Sequence, residues 1–287
     1  MPENELKHEY IETNGIKMHY VTKGSGKLVV LLHGYPEFWY SWRHQIPAIG
    51  SDKFKVVAPD LRGYGKTDKP EGVENYKLSI LVQDILGLIK GLGEEKAVIV
   101  GHDWGGSIAW YFAQTLPEHT EKLIIINGPP ILALQKEIAS NPEQRKRSTY
   151  IVFFQQKDVP EQKLSANNYS ELKSRLKNHP VKKDLFSEED LEKYVEALKL
   201  PALSCALNYY RAVVRFPPEK KEAELKVKAP TLVIWGEQDK ALGKELTKYI
   251  PDFVEGGYKV QYVPTAGHFV QQEEPELVNK HILEFLC

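Results

Sequence analysis

Residues 98–110 read VIVGHDWGGSIAW, and this short stretch limits the possible folds more than any other. A β-branched run ends at Gly101, a helical pattern begins at Gly105, and Asp103 stands alone at the centre of the turn between them. A strand can pass into a helix this abruptly only if small flanking residues let the two approach and the central residue accepts strained dihedrals. Its side chain is then pushed out above the carboxyl edge of a parallel sheet. The central residue here is Asp, whose carboxylate is already ionised near neutral pH. It needs no base to activate it, and its attack on carbon yields an ester. Asp is also a good helix N-cap, but the glycine spacing and the strand context favour a nucleophile.

The rest of the chain agrees with a parallel α/β core. HEYIETNG and IKMHYVTKG meet at Asn14-Gly15 and predict a β-hairpin. KLVVLLHG (27–34), FKVVAPD (54–60), KAVIVGHD (96–103), KLIIING (122–128), APTLVIWGEQD (229–239) and KVQYVPTAGH (259–268) are strand signals. Leu81, Ile85, Leu88, Ile89 and Leu92 share one helix face, and ELVNKHILEFL closes the chain as an amphipathic helix. Continuous apolar strands alternating with helices indicate a mostly parallel sheet covered on both faces. Between about Pro129 and Pro217 the chain is polar, Lys-rich and helical, with no comparable strand. The expected organisation is therefore a core of residues 1–128 and 218–287 with a helical cap, 129–217, inserted in it.

Several function classes drop out on composition. The 287 residues carry a net charge of -1, unlike a dedicated nucleic-acid binder. No apolar run approaches the roughly 18 residues of a membrane span. Cys205 and Cys287 form neither a disulfide framework nor a Cys-rich zinc site. The polar start, MPENELKHEY, does not read as a secretory signal. The expectation is a cytoplasmic protein with no transmembrane segment; its oligomeric state is not legible.

His268 lies just after a late strand, and Asp239 ends another. The chain order Asp103, Asp239, His268 is that of nucleophile, acid and histidine in α/β-hydrolases, and each follows the carboxyl end of an expected strand. The turn after strand 27–32, His33-Gly34-Tyr35-Pro36, can aim the Tyr35 N–H at the same place. The Trp104 N–H supplies a second donor, so the two would form an oxyanion hole. Phe38 and Trp42 read as core aromatics. His33, His44, His102 and His281 read as structural or surface residues, and Asp60 and Arg62 as structural. Asn168-Tyr169-Ser170 matches a glycosylation acceptor, taken as chance.

HGYPEFWYSWRHQIP (33–47), DLRGYGKTDKP (60–70), GHDWGG (101–106), WGEQD (235–239) and AGHF (266–269) together resemble an epoxide hydrolase of the α/β-hydrolase fold, over essentially the whole chain. GHDWGG alone is shared with haloalkane dehalogenases. The resemblance implies two cap tyrosines that hold the epoxide oxygen, and these match Tyr150 and Tyr210; Tyr209 is the neighbouring alternative. The family often continues the first motif as Gln-x-Pro-Gly, where this chain reads Gln155-Gln156-Lys157-Asp158. A dehalogenase usually carries Asn where this chain has Tyr35. The arginines that fluoroacetate dehalogenases place after the nucleophile are Trp104 and Ser107 here. The expected reaction converts a small, apolar epoxide and water to a vicinal diol through an Asp103 ester, with no metal or organic cofactor. The alternatives are haloalkane dehalogenation on the same Asp and a hydrolase-like binding protein without turnover.

Overall fold

The computed structural model describes residues 6–217 and 226–287. Eight strands form one sheet: β1 (Lys7–Thr13), β2 (Ile16–Lys23), β3 (Lys27–Leu32), β4 (Phe54–Pro59), β5 (Ala97–His102), β6 (Thr120–Ile126), β7 (Thr231–Gly236) and β8 (Tyr258–Val263). Their order is β1-β2-β4-β3-β5-β6-β7-β8. β1 and β2 form the expected hairpin, with Asn14 and Gly15 at positive φ as a tight hairpin turn requires. β2 meets β4 antiparallel, and every pairing from β4 to β8 is parallel. This is the α/β-hydrolase fold expected from the sequence.

The central strands are apolar on both faces because both faces are covered. Val29–Leu32, Val98–Val100, Leu123–Ile126 and Val233–Ile234 are almost wholly buried. α2 (Leu78–Gly91) and α3 (Trp104–Thr115) pack together against the sheet, while α1 (Gln45–Ile49) packs with the C-terminal helix (Pro275–Leu286). α2 carries Leu81, Ile85, Leu88 and Ile89 of the expected helix face, all buried, and ends at Leu92 as its C-cap.

Among the described residues six α-helices separate β6 from β7: α4 (Ile131–Ser140), α5 (Pro142–Arg147), α6 (Thr149–Phe154), α7 (Val159–Asn178), α8 (Glu188–Leu198) and α9 (Ala202–Arg215). α7 is interrupted at 166–169, where Asn167, Asn168 and Tyr169 take positive φ; the glycosylation-like triplet falls at this kink. One buried arginine ties three of these helices together. Arg211 on α9 forms a bidentate pair with Glu161 on α7 (2.7 and 3.0 Å) and donates to the carbonyls of Phe154 and Gln156 after α6. The expected core segments include residues 1–5 and 218–225, which lie outside the described residues.

Candidate active site

The turn between β5 and α3 is built as the glycine spacing requires. Asp103 has φ 51° and ψ −116°, and its side chain does not cap α3. A Cβ on Gly105 would lie 2.1 Å from the Leu32 carbonyl oxygen, and one on Gly101 would lie 2.2 Å from that of Gly105. Gly34 passes so close that a Cβ there would sit 2.4 Å from the Asp103 Cβ. Strand, helix and facing loop therefore hold the strained residue from three sides.

Two backbone donors meet this carboxylate. The Tyr35 N–H donates to Oδ1 at 2.9 Å, and the Trp104 N–H also bonds the carboxylate. On the other side, His268 Nε2 stands 3.6 Å from Oδ2. His268 Nδ1 bonds Asp239 Oδ2 at 2.7 Å. Asp239 is itself fixed: Oδ1 accepts from the N–H groups of Ala241 and Leu242, and Oδ2 from Asn127 Nδ2 at 2.8 Å. The structure thus brings Asp103, Asp239, His268 and both expected backbone donors to one point.

Burial shapes the charges. It raises the Asp103 pKa above the ordinary carboxylate value, against the opposing pull of His268, His102 and the two N–H donors. For Asp239 burial also acts upward, but the His268 imidazole and the hydrogen bonds to it outweigh burial and bring the pKa down to about 2. Burial pushes His268 the opposite way, yet the charges of Asp239 and Asp103 prevail and its pKa rises to about 9. At neutral pH His268 is therefore an imidazolium held by the Asp239 carboxylate, while burial works against the charge of Asp103.

The remaining histidines and the loop residues serve the frame. His102 bridges Glu37 Oε2 (2.7 Å) and the His268 carbonyl (2.8 Å), which steadies the loop carrying His268. His33 accepts from the Leu61 N–H, and His281 pairs loosely with Glu284. Asp60 binds His19 and the Trp39 and Lys66 N–H groups, and Arg62 pairs with Asp84. Phe38 and Trp42 are buried in the core. Three residues of the site were not singled out by the sequence: Asn127, Glu37 and His179. The Asn-Gly pair just past β6 was a usable signal for Asn127. Nothing around His179 in the polar insertion distinguishes it.

The two neighbouring tyrosines of α9 point in different directions. Tyr209 turns into the core and donates to the Arg62 carbonyl at 2.8 Å. Tyr210 faces the cavity above Asp103, with its ring 5.0 Å from that of Trp104 and 5.7 Å from that of Tyr150. Asp158 takes the left-handed conformation, φ 61°, at the position where the resembling family often has Gly.

The cavity has two arms, of about 140 and 150 Å³, and Asp103, Tyr150 and Tyr210 line both. The second arm is walled by Pro129, Ile131, Leu134, Ile138, Val213 and Leu242, among others, and among the described residues holds no charged group besides Asp103. In the first, His179 on the far side lays its ring across that of His268 at 5.4 Å. Possible ligand atoms of His179, Asp239 and His268 lie within 4.8 Å of one another, but His268 and Asp239 are already hydrogen-bonded to each other. Chemically, the site offers a carboxylate nucleophile, a base oriented by a second carboxylate, two donors for a developing oxyanion and two phenols above them.

Comparison with known proteins gives a consistent picture. The family described as alpha/beta hydrolase fold matches residues 27–275. The chain is similar to an AB hydrolase superfamily protein of Bacillus subtilis, 41% identical over 286 residues, or 98% of each chain. It is 41% identical to Epoxide hydrolase 4 of Homo sapiens over 283 residues, covering 96% of this chain and 77% of that one. The crystal structure of a Bacillus megaterium epoxide hydrolase in complex with an inhibitor superposes with a TM-score of 0.87 at 34% identity, over 97% of this chain and 99% of the other.

Proposed function

The chain belongs to the epoxide hydrolases of the α/β-hydrolase fold family, and from that premise we propose that it hydrolyses a small epoxide to a vicinal diol through a covalent ester on Asp103. The observation that carries the reading is the pair Tyr150 and Tyr210, both bordering the cavity over Asp103 while Tyr209 is turned away. Opening an epoxide expels a strongly basic alkoxide, and a phenol can give it a hydrogen bond or a proton at neutral pH.

Asp103 Oδ2, which is not the oxygen held by the Tyr35 N–H, attacks the epoxide carbon. Tyr150 and Tyr210 stabilise the departing oxygen. Esterification then removes the negative charge of Asp103. That charge is one of the influences that raise the His268 pKa, so forming the ester lets the imidazolium pass its proton to the alkoxide oxygen held by Tyr150 and Tyr210 and become a base. His268 takes a proton from water, which attacks the ester carbonyl carbon. The developing oxyanion is Oδ1, already held by the Tyr35 N–H, and the Trp104 N–H on the same carboxyl would serve as the second donor. Asp239 sets the tautomer of His268 and stabilises its charged form. Collapse, with His268 returning that proton to Oδ2, releases the diol carrying Oδ2.

The helices of residues 129–217 act as a cap that completes the site from above, the core supplying nucleophile, acid and base. The apolar arm supports a substrate with substantial hydrocarbon character. The two free cysteines, one of them exposed, support a reducing, cytoplasmic setting. Among the described residues no helix is long and apolar enough to cross a membrane.

Turnover of an epoxide and a matched bromoalkane separates this reading from its rivals. Diol formation without bromide release is expected. Bromide release as the faster reaction would favour dehalogenation, and turnover of neither would favour a binding protein. His268→Gln treated with a good epoxide should accumulate an adduct on Asp103.

A further inference from the structure

Hydrolysis of the Asp103 ester asks two things of one water molecule. Its lone pair must face the carbonyl carbon, and both of its protons must be held elsewhere. His268 can accept one of them. A candidate acceptor for the other stands beside it. His179 lines the same arm of the cavity as His268 and Asp103, and its Nε2 is buried with no hydrogen-bond partner among the described residues. We infer that His179 is a positioning residue for the second step, its Nε2 accepting a hydrogen bond from the attacking water and orienting it between the two imidazoles. The inference rests on the covalent epoxide reading and deepens it.

The fold fixes His179 with respect to His268. α7 ends against Pro180, with His179 as its C-cap and the His179 N–H on the Arg175 carbonyl at 2.9 Å. The N–H groups of Val181 and Lys182 then donate to Glu273 Oε2 at 2.7 and 3.1 Å, while Oε1 of the same carboxylate accepts from the Gly267 N–H at 3.0 Å. Glu273 is wholly buried. One carboxylate therefore ties the segment after His179 to the residue before His268. The two imidazoles meet at 5.4 Å and 73°, and the Phe269 ring lies 5.9 Å from that of His179. A ring nitrogen of His179 lies within 4.8 Å of a ring nitrogen of His268. Two hydrogen bonds of about 2.9 Å to one water, at a near-tetrahedral angle, span about 4.7 Å. A bridging water fits that gap and relieves the cost of a buried, unpaired nitrogen.

His179 is suited to accepting rather than donating. Burial brings its pKa down to about 4; His268, Lys240 and Arg175 act in the same direction, against the pull of Asp239. The ring is thus neutral at neutral pH, and with its proton on Nδ1 it presents a lone pair at Nε2. Before ring opening, the charged His268 donates to the water oxygen. Once the ester has formed and that proton has left, the water turns and gives His268 one of its own. Its other proton stays on the oxygen that joins the Asp103 carboxyl. After the diol leaves, that proton passes to His268 and restores the imidazolium. His179 stays neutral throughout.

The test separates the two chemical steps. His179→Phe keeps a ring against His268 and Phe269 but has no acceptor, and His179→Gln keeps an acceptor. Each full-length protein, in excess over styrene oxide, is quenched at successive times and the mass of the Asp103 peptide is followed, with wild type and His268→Gln alongside. His179→Phe should form the ester at the wild-type rate and lose it about tenfold more slowly, the effect of one hydrogen bond to the reacting water. In the steady state its kcat and KM should fall together, and His179→Gln should recover much of the lost rate. Ester decay at the wild-type rate in His179→Phe overturns the inference. Equal slowing of both steps also overturns it, since that marks a structural role. His179→Ala gives the same comparison if His179→Phe folds poorly. Absence of the ester from wild type and His268→Gln alike overturns the covalent reading itself, and this inference with it.

Discussion

Tyr209 and Tyr210 are adjacent on α9 and do opposite jobs. Tyr209→Phe removes a buried hydrogen bond to the Arg62 carbonyl, so it should cost about 1–2 kcal/mol in urea unfolding while changing ring opening little. Tyr210→Phe and Tyr150→Phe should leave stability nearly untouched. Each should slow formation of the Asp103 ester in a single turnover, by about ten- to a hundredfold, with the double substitution far slower. A double variant that alkylates Asp103 at the wild-type rate would show that another group activates the oxygen. At the same scale, Asp103→Ala should abolish diol formation in a protein with an unchanged circular dichroism spectrum.

The helices between β6 and β7 depend on Arg211. It closes α6, α7 and α9 around one buried guanidinium, and thereby sets the helix bearing Tyr150 beside the helix bearing Tyr210. Arg211→Met leaves Glu161 buried without its partner. The expected loss is about 3–5 kcal/mol, with slowed ring opening in whatever fraction folds; wild-type rate and melting temperature together would refute this role. The turn that follows α6 carries its own cost, since Asp158 sits at φ 61°. Asp158→Gly should raise stability by up to about 1 kcal/mol, read as a shift in melting temperature. Much of this architecture is legible in the sequence because its signals are local. The Gly101–Gly105 turn, the β-branched runs and the Asn14-Gly15 hairpin each specify their own backbone. So does the order Asp103, Asp239, His268. The cap was legible only as a helical region. Its kink at 166–169 has no proline or glycine to announce it, and the inward turn of His179 is decided by packing against His268 and Phe269, distant in sequence. The choice between Tyr209 and Tyr210 likewise depended on helix phase, which one residue of error reverses.

Across the whole molecule, the buried charges of the site couple folding to pH. The folded His268 pKa, about 9, lies above its ordinary value of 6.5. Its contribution to stability is therefore fully present below pH 6.5 and is lost as pH rises through 9. Asp239 has the opposite sign: at about 2 against an ordinary 3.8, its contribution is present above pH 3.8 and lost as pH falls toward 2. Urea unfolding of the wild type should weaken between pH 6.5 and 9, by up to about 3 kcal/mol, and His268→Gln should flatten that slope. An unchanged slope would mean that other groups govern the alkaline limb.

The central claim is that water never touches the epoxide, and the fate of one oxygen atom tests it across both halves of the protein. Enzyme in excess over a good epoxide is allowed a single turnover in heavy-oxygen water, and the diol and the Asp103 peptide are weighed separately. Because water attacks the ester carbonyl carbon, the label should enter the Asp103 carboxylate and be absent from the first diol, which leaves with an oxygen that had belonged to Asp103. Label in that first diol and none in the Asp103 peptide would mean direct attack by water, and would contradict the covalent account.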